Sequence, residues 1–365
     1  MLRLTLDRLR VPAQPSVRKA FRVDALQCVG IRAPEHDQLL KIDMIESKPR
    51  LLVTRQVFPE VLDYLAGHFT LETNPDDEIW SREDLLVRVQ DKDALYVVAS
   101  DRVDAELLAA APSLKIVATG SVGYNHIDVA ACGARDIPVT NTPDVLTEAT
   151  ADMAWALLMS TARRVTESER WLREGHWQRW AWDQFLGQDV HRATLGIVGM
   201  GRIGSAIARR ARGFEMKVVY CNRSAAANEA EIGATRLPMD KLLREADHVV
   251  LVLPYSAQTH HLIGAAELAL MKPTATLINI ARGGIVDDAA LVNALRAGQL
   301  AAAGLDVFEN EPALNPELLQ VPNVVLTPHI GSATRSSRLA MSMLAARNLV
   351  AWAQGESLLT RVAAG

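Results

Sequence analysis

Gly199, Gly201 and Gly204 stand at G-x-G-x-x-G spacing, after the apolar run Leu195 to Val198 and before the helically periodic run Ile203 to Arg212. A second apolar run, Val218 to Tyr220, follows. In such a strand–turn–helix–strand unit the first glycine permits the tight turn, and the second lets a pyrophosphate approach the backbone. The third lets helix and strand pack closely, leaving helix N–H groups aimed at the phosphates. The spacing alone is weak evidence; its context makes it a dinucleotide site. At the end of the second run stand Asn222, Arg223 and Ser224, where an NAD site carries an acid that accepts from the ribose 2′-OH. A carboxylate there would repel a 2′-phosphate, whereas a guanidinium and a hydroxyl would bind it. NADPH is therefore the expected cofactor, with NADH as the lesser one, against the plainer reading of a solvated arginine on a loop.

Further apolar runs end beside chemically useful residues. His248 to Leu253 ends in Pro254, and Thr276 to Ile280 ends at Ala281-Arg282-Gly283-Gly284. Gly304 to Val307 contains Asp306, with Glu311 close behind, and Val324 to Leu326 ends in Thr327-Pro328-His329. Parallel strands would deliver Arg282, Asp306 with Glu311, and His329 to the edge that carries the glycine loop. A carrier of hydride needs a carbonyl held over its nicotinamide and a proton donor on the carbonyl oxygen. His329 is the best donor, because imidazole titrates nearest to working pH. Glu311 could bond the far ring nitrogen and favour the imidazolium. Arg282 could fork onto an α-keto acid, and the N–H groups of Val122 and Gly123 could hold the rest of its carboxylate. Each residue alone has a bland reading as a surface charge, a turn residue or a strand cap. Together, at strand ends beside a cofactor loop, they read as a site.

The elements that must position them follow an α/β rhythm from Lys48 onward. Leu51 to Val53, Tyr96 to Val98, Lys115 to Thr119 and Val139-Thr140 read as strands, with helices at Pro59 to His68 and Asp104 to Ala111. Alternation with short connections implies a parallel sheet covered by helices. The segment TGSVGYNHID, Thr119 to Asp128, follows a strand's C-terminal end, the edge where ligands collect. Asp144 to Arg170 reads as one long helix, followed by a stretch with Trp171, Trp177, Trp180 and Trp182 that suits packing under a loop or a subunit interface. A last helix is expected from about Thr334 to Gly355. His260-His261 reads as a solvated turn, and no metal-ligand pattern is evident.

The chain has 365 residues, 49% of them hydrophobic, and a net charge of −4, enough for two domains with cores of their own. The charge argues against non-specific binding to nucleic acid or an anionic membrane. Three widely spaced cysteines, Cys28, Cys132 and Cys221, exclude a disulfide scaffold and fit a reducing compartment. No run approaches membrane-spanning length, so a cytoplasmic protein is expected. Residues 1–47 are Arg-rich and interrupted by Pro12 and Pro15; the expectation is a poorly ordered extension, with Met44 as the native initiator.

The motifs SVGYNHID, NTPDVLTEATAD, GIVGMGRIG, INIARGGIVDDAAL, AAAGLDVFENEP and TPHIGSAT resemble, in order over Lys48 to Glu356, the D-isomer-specific 2-hydroxyacid dehydrogenase family, within it most nearly the glyoxylate/hydroxypyruvate reductases. The resemblance implies two doubly wound parallel-sheet (Rossmann/flavodoxin-like) α/β domains. The dinucleotide domain, 145–327, is inserted into a substrate domain made of 48–144 and 328–365. It implies Arg282, Glu311 and His329 as the catalytic trio and Val122 and Gly123 as carboxylate binders. Asp306 would accept from the nicotinamide carboxamide, Pro254, Thr259, Ile280 and Ala281 would line the cofactor, and Arg202 and Ile203 would meet its pyrophosphate. A homodimer is implied, in which Trp180 or Trp182 reaches a neighbour's pocket. The expected reaction is NADPH-dependent reduction of a small 2-oxo acid, glyoxylate or hydroxypyruvate, to the D-2-hydroxy acid. 2-Ketogluconate is the rival substrate. 3-Phosphoglycerate oxidation and a dinucleotide-sensing corepressor are disfavoured by how few residues follow the last helix.

Overall fold

Short strands that are apolar on both faces need helices above and below them, and this chain supplies two such layers. The structure, a computed structural model, describes residues 48–363; the extension expected over 1–47 lies outside the described residues. Five strands form the first sheet: β1 (Arg50–Val53), β2 (Thr70–Glu72), β3 (Ala94–Val97), β4 (Ile116–Thr119) and β5 (Val139–Thr140). They run parallel in the order β2-β1-β3-β4-β5. Seven more form the second: β6 (Thr194–Val198), β7 (Lys217–Cys221), β8 (Thr235–Arg236), β9 (His248–Leu251), β10 (Thr276–Asn279), β11 (Ala302–Leu305) and β12 (Val324–Leu326). Their order is β12-β11-β10-β9-β6-β7-β8, again all parallel. The winding reverses at β6, whose neighbours are β7 and β9, and such a switch point opens a crevice beyond the strand ends. The protein thus consists of two parallel-sheet α/β domains.

Each sheet has apolar clusters on both sides. Leu52, Leu95 and Val117 face one cluster of the first sheet, and Leu51, Val53, Tyr96 and Ala118 face the other. The second cluster also contains Ala345, Ala346, Leu349 and Val350, because the helix Arg335–Ala353 packs on β3, β4 and the helix Pro59–Ala66. The chain therefore leaves the first sheet after β5, builds the second, and returns. Its return is stitched by the N–H of Val362 donating to Val139 O at 2.8 Å. Among the described residues no helix is long and apolar enough to cross a membrane.

The long helix expected from Asp144 to Arg170 is two helices, Thr147–Ala162 and Val165–Arg173. The break is at Arg164, which takes a left-handed backbone with φ 52°. Its guanidinium forks onto Glu167 at 2.7 and 2.8 Å and also donates to Leu186 O. The first helix packs on β10, β11 and the helix Arg202–Ala211; the break lets the second leave that surface, and none of its residues is buried.

Candidate active site

The glycine loop joins the end of β6 to the helix Arg202–Ala211. Gly199 has φ 107°, and a Cβ there would strike the carbonyl of Val252; one at Gly204 would strike the carbonyl of Gly199. At Gly201 a Cβ would meet nothing within 4 Å, so the middle glycine keeps open space above the turn. Gly201 also caps the helix without any side-chain bond, leaving its first N–H groups for an anion. These features fit the pyrophosphate of a dinucleotide. Gly201, Arg202, Ile203 and Gly204 share a cavity of about 140 Å³ with Val122 from the first sheet. The Arg202 side chain is turned to Asp144, Nε to Oδ1 2.7 Å, so any pyrophosphate contact falls to its backbone.

At the end of β7, Oδ1 of Asn222 accepts from the N–H of Met200 at 2.8 Å and ties the glycine loop to that strand. Arg223 and Ser224 are exposed. Arg236 lies beside them, its Nη2 donating to the carbonyls of Asn222 at 2.9 Å and Arg223 at 2.7 Å. A second guanidinium thus stands beside the end of β7. Sequence reasoning missed it because β8 has only two residues, Thr235 and Arg236. Pro254 and Thr259 belong to one turn, in which Thr259 Oγ1 donates to Pro254 O at 3.0 Å. Ile280 and Ala281 are buried at the end of β10.

Beyond Ala281 the chain presents Arg282. Asn279, itself buried, braces this bend: its Oδ1 accepts from Ala281 N–H at 3.0 Å and its Nδ2 donates to Arg282 O at 3.2 Å. The guanidinium donates to Ala281 O at 2.7 Å and to Asn125 Oδ1 at 3.3 Å. It lies against Gly123, where a Cβ would collide with Nη2 and push the guanidinium from this place. Among the described residues the N–H groups of Val122 and Gly123 have no backbone partner. Their loop is held by Ser121 Oγ donating to Gly123 O at 2.7 Å and by Asn141 Nδ2 donating to Val122 O at 2.8 Å.

His329 has φ 52° and its N–H donates to Asp306 O at 2.9 Å. Its Nδ1 lies 2.7 Å from Oε2 of Glu311, leaving Nε2 for the cleft. Glu311 Oε1 accepts from Phe308 N–H at 2.8 Å. Burial alone would raise the Glu311 carboxyl. The bond and charge of His329, the Phe308 N–H and Arg282 outweigh it and hold the group below its ordinary value. Burial lowers the Arg282 guanidinium, opposed by Glu311, but an arginine stays charged regardless. Burial, with the charge of Arg282, pushes His126 down to about 4, so that nearby imidazole is neutral.

Asp306 is 1% exposed, and its oxygens accept from Thr327 Oγ1 at 2.7 Å, Ile330 N–H at 2.8 Å and Gly331 N–H at 2.7 Å. These bonds hold the turn that carries His329. A carboxylate has about four acceptor positions, so the three donors leave the expected bond to a nicotinamide carboxamide open.

His329 lines two adjoining cavities. One, about 380 Å³, also has Asn125, Arg282 and Glu311 on its wall; the other, about 630 Å³, is lined by Tyr96, Ser121, Ser332 and Arg338. A cationic anchor, two free N–H groups and a carboxylate-backed imidazole therefore converge beside a nucleotide cradle.

The sequence pattern of the D-isomer specific 2-hydroxyacid dehydrogenase NAD binding domain matches residues 155–331. A glyoxylate reductase of Thermococcus onnurineus is 52% identical over 314 residues, 85% of this chain and 94% of the relative. The chain belongs to the D-isomer-specific 2-hydroxyacid dehydrogenase family. It is an NAD(P)-dependent oxidoreductase that reduces a small 2-oxo acid. Two solved dehydrogenase structures are similar to it. A glyoxylate reductase from Paecilomyes thermophila has TM-score 0.79 and 36% identity, covering 87% of this chain and 99% of that one. An NADPH-dependent glyoxylate/hydroxypyruvate reductase from Sinorhizobium meliloti, in complex with NADP and malonate, has TM-score 0.78 and 39% identity, covering 87% and 98%.

Proposed function

We propose that this dehydrogenase reduces glyoxylate and hydroxypyruvate to the D-2-hydroxy acids with NADPH, and that His329 is the proton donor. The observation that carries this reading is the pair His329–Glu311 on the same cavity wall as Arg282. Bound NADPH supplies the hydride. Arg282 holds the keto oxygen and one carboxylate oxygen of the substrate, and the N–H groups of Val122 and Gly123 hold the other. As the carbonyl oxygen gains charge, Nε2 of His329 gives it a proton, and Glu311 favours the imidazolium before transfer. Charge-assisted bonds from Arg282 strengthen as that oxygen becomes an alkoxide, which is where they accelerate the reaction.

The NADPH preference rests on Asn222, Arg223 and Ser224 with the added guanidinium of Arg236, and no carboxylate lies in this strand end to repel a 2′-phosphate. The relative named as an NADPH-dependent glyoxylate/hydroxypyruvate reductase supports it, and the relative named as a glyoxylate reductase supports the substrate. The larger cavity, with Ser332 and Arg338, has room and donors for a hydroxymethyl group, which favours hydroxypyruvate beside glyoxylate. The same room keeps 2-ketogluconate as the second reading. The substrate domain is taken as 48–144 with 328–365, and the dinucleotide domain as 145–327. Trp180 and Trp182, 64% and 87% exposed, are proposed to be covered in a homodimer, since such surfaces are costly to leave wet.

The test is kcat/KM for glyoxylate, hydroxypyruvate, 2-ketogluconate, pyruvate and 3-phosphohydroxypyruvate with each cofactor. Preference for NADH would overturn the cofactor assignment, and turnover confined to 2-ketogluconate would overturn the substrate.

A further inference from the structure

His260 and His261 do not lie on a merely solvated turn. Successive side chains on extended backbone point to opposite sides. His261 instead has φ 50°, in the left-handed region that non-glycine residues enter at a cost. With that twist the two imidazoles stack, centroids 3.9 Å apart and planes inclined by 24°. The twist is held by the N–H of His261 donating to Gly284 O at 2.7 Å. Glu309 arrives from far along the chain, its Oε1 2.7 Å from Nε2 of His261. One nitrogen of each ring and one Glu309 oxygen all lie within 4.8 Å of one another.

The surroundings are acidic. Asp287 Oδ2 lies 3.9 Å from Nδ1 of His261, and Asp288 accepts from the N–H of Glu309 at 3.2 Å. Among the described residues, His261 is the ion-pair partner of both Asp287 and Glu309, with no lysine or arginine pairing to either. Tyr255 Oη, 3.2 Å from Nδ1 of His260, adds another oxygen. Two imidazoles and a carboxylate select a borderline transition metal over Mg²⁺ or Ca²⁺, which prefer oxygen alone.

We propose that His260, His261 and Glu309 form a binding site for a divalent transition metal, of which Zn²⁺ is the representative. Binding exchanges the His261–Glu309 hydrogen bond for two metal bonds and requires the stacked rings to rotate apart. His260 and Glu309 line the cavity that also holds Arg282, Glu311 and His329, so the site lies on the rim of the catalytic cleft. The inference does not rest on the substrate or cofactor assigned above.

The experiment is calorimetric titration of the full chain with ZnCl₂ and, separately, MgCl₂, without cofactor or substrate. The expected result is one Zn²⁺ site, no Mg²⁺ binding, and Zn²⁺ affinity weakened about tenfold or more in both His260→Ala and Glu309→Gln. Circular dichroism and Tm of both variants should match the parent, since neither side chain is buried in a core. The chain has nine histidines, and a Zn²⁺ site insensitive to either variant would lie elsewhere and overturn the proposal. So would an absence of Zn²⁺ binding up to millimolar concentration.

Discussion

Nε of Arg282 donates to Oδ1 of Asn125 at 3.3 Å, joining the end of β10 to the loop that follows β4. The bond fixes which way the guanidinium fork opens, and Asn125 itself carries no charge to compete for substrate. Asn125→Ala should lower kcat/KM about tenfold to a hundredfold, the worth of one bond to a charged group. Most of the change should appear in KM for the 2-oxo acid, measured by steady-state kinetics. Unchanged kinetics would mean that Ala281 O and Gly123 suffice to aim Arg282.

Removing Arg282 itself should be more severe. Arg282→Ala is expected to raise KM and lower kcat together, with kcat/KM falling about 10²–10³-fold or more, because its contact grows as the oxygen gains charge. An unchanged KM would show that the substrate carboxylate is held elsewhere.

His329→Ala should lower kcat about 10²–10⁴-fold while the Kd for NADPH, read by fluorescence titration, stays near the parent value. Near-full activity would remove His329 as the proton donor.

Glu311→Gln tests the dyad through pH. The carboxylate is held ionised, and its charge favours the protonated imidazole beside it. An uncharged amide removes that support. The alkaline limb of the reduction profile should then move acid. A profile that does not move would argue that Glu311 only braces Phe308.

Asp288 offers a stability test away from the chemistry. Burial first, and the neighbouring acids after it, raise its carboxyl from 3.8 to about 6. A carboxyl raised on folding stabilises the fold most below its unfolded pKa, and that contribution is lost as pH climbs through the folded value. At pH 7 the ion is therefore a net burden. Asp288→Asn should raise stability there by about 1–2 kcal/mol, after discounting for relaxation, and converge with the parent below about pH 4. Paired Tm measurements across that range check it; parallel curves would contradict the shift.

Much of this site is legible in the sequence because its determinants are local. Gly204 is required by the carbonyl of Gly199 within the same turn, Gly199 by its own positive φ as well as by Val252, and strand ends bring Arg282, Glu311 and His329 to one edge through topology alone. The residues that aim them were not legible. Asn125 and Arg282 lie 157 positions apart, and Asn279 and Arg236 act on backbone carbonyls and N–H groups, which no residue pattern marks. The helix break at Arg164 was hidden because a left-handed arginine is stabilised by Glu167 and Leu186, against its own propensity. For Asp306 the place beside the site was readable, but its bonds to Thr327, Ile330 and Gly331 were not, because those donors come from a turn past β12.

That turn has a mechanical consequence. Asp306 sits at the end of β11 and grips Thr327, Ile330 and Gly331, the segment through which the chain passes from the second sheet back to the helix on the first. His329 lies inside this grip, so although its number places it in the 328–365 segment, it is anchored to the sheet that bears Arg282 and Glu311. Were the two sheets to rotate about the crossover, those three side chains would travel together as one body. The loop of Val122 and Gly123, with Asn125, would travel with the other. The moving part would then be the loop of Val122 and Gly123, while the spacing between His329 and Glu311 stayed constant.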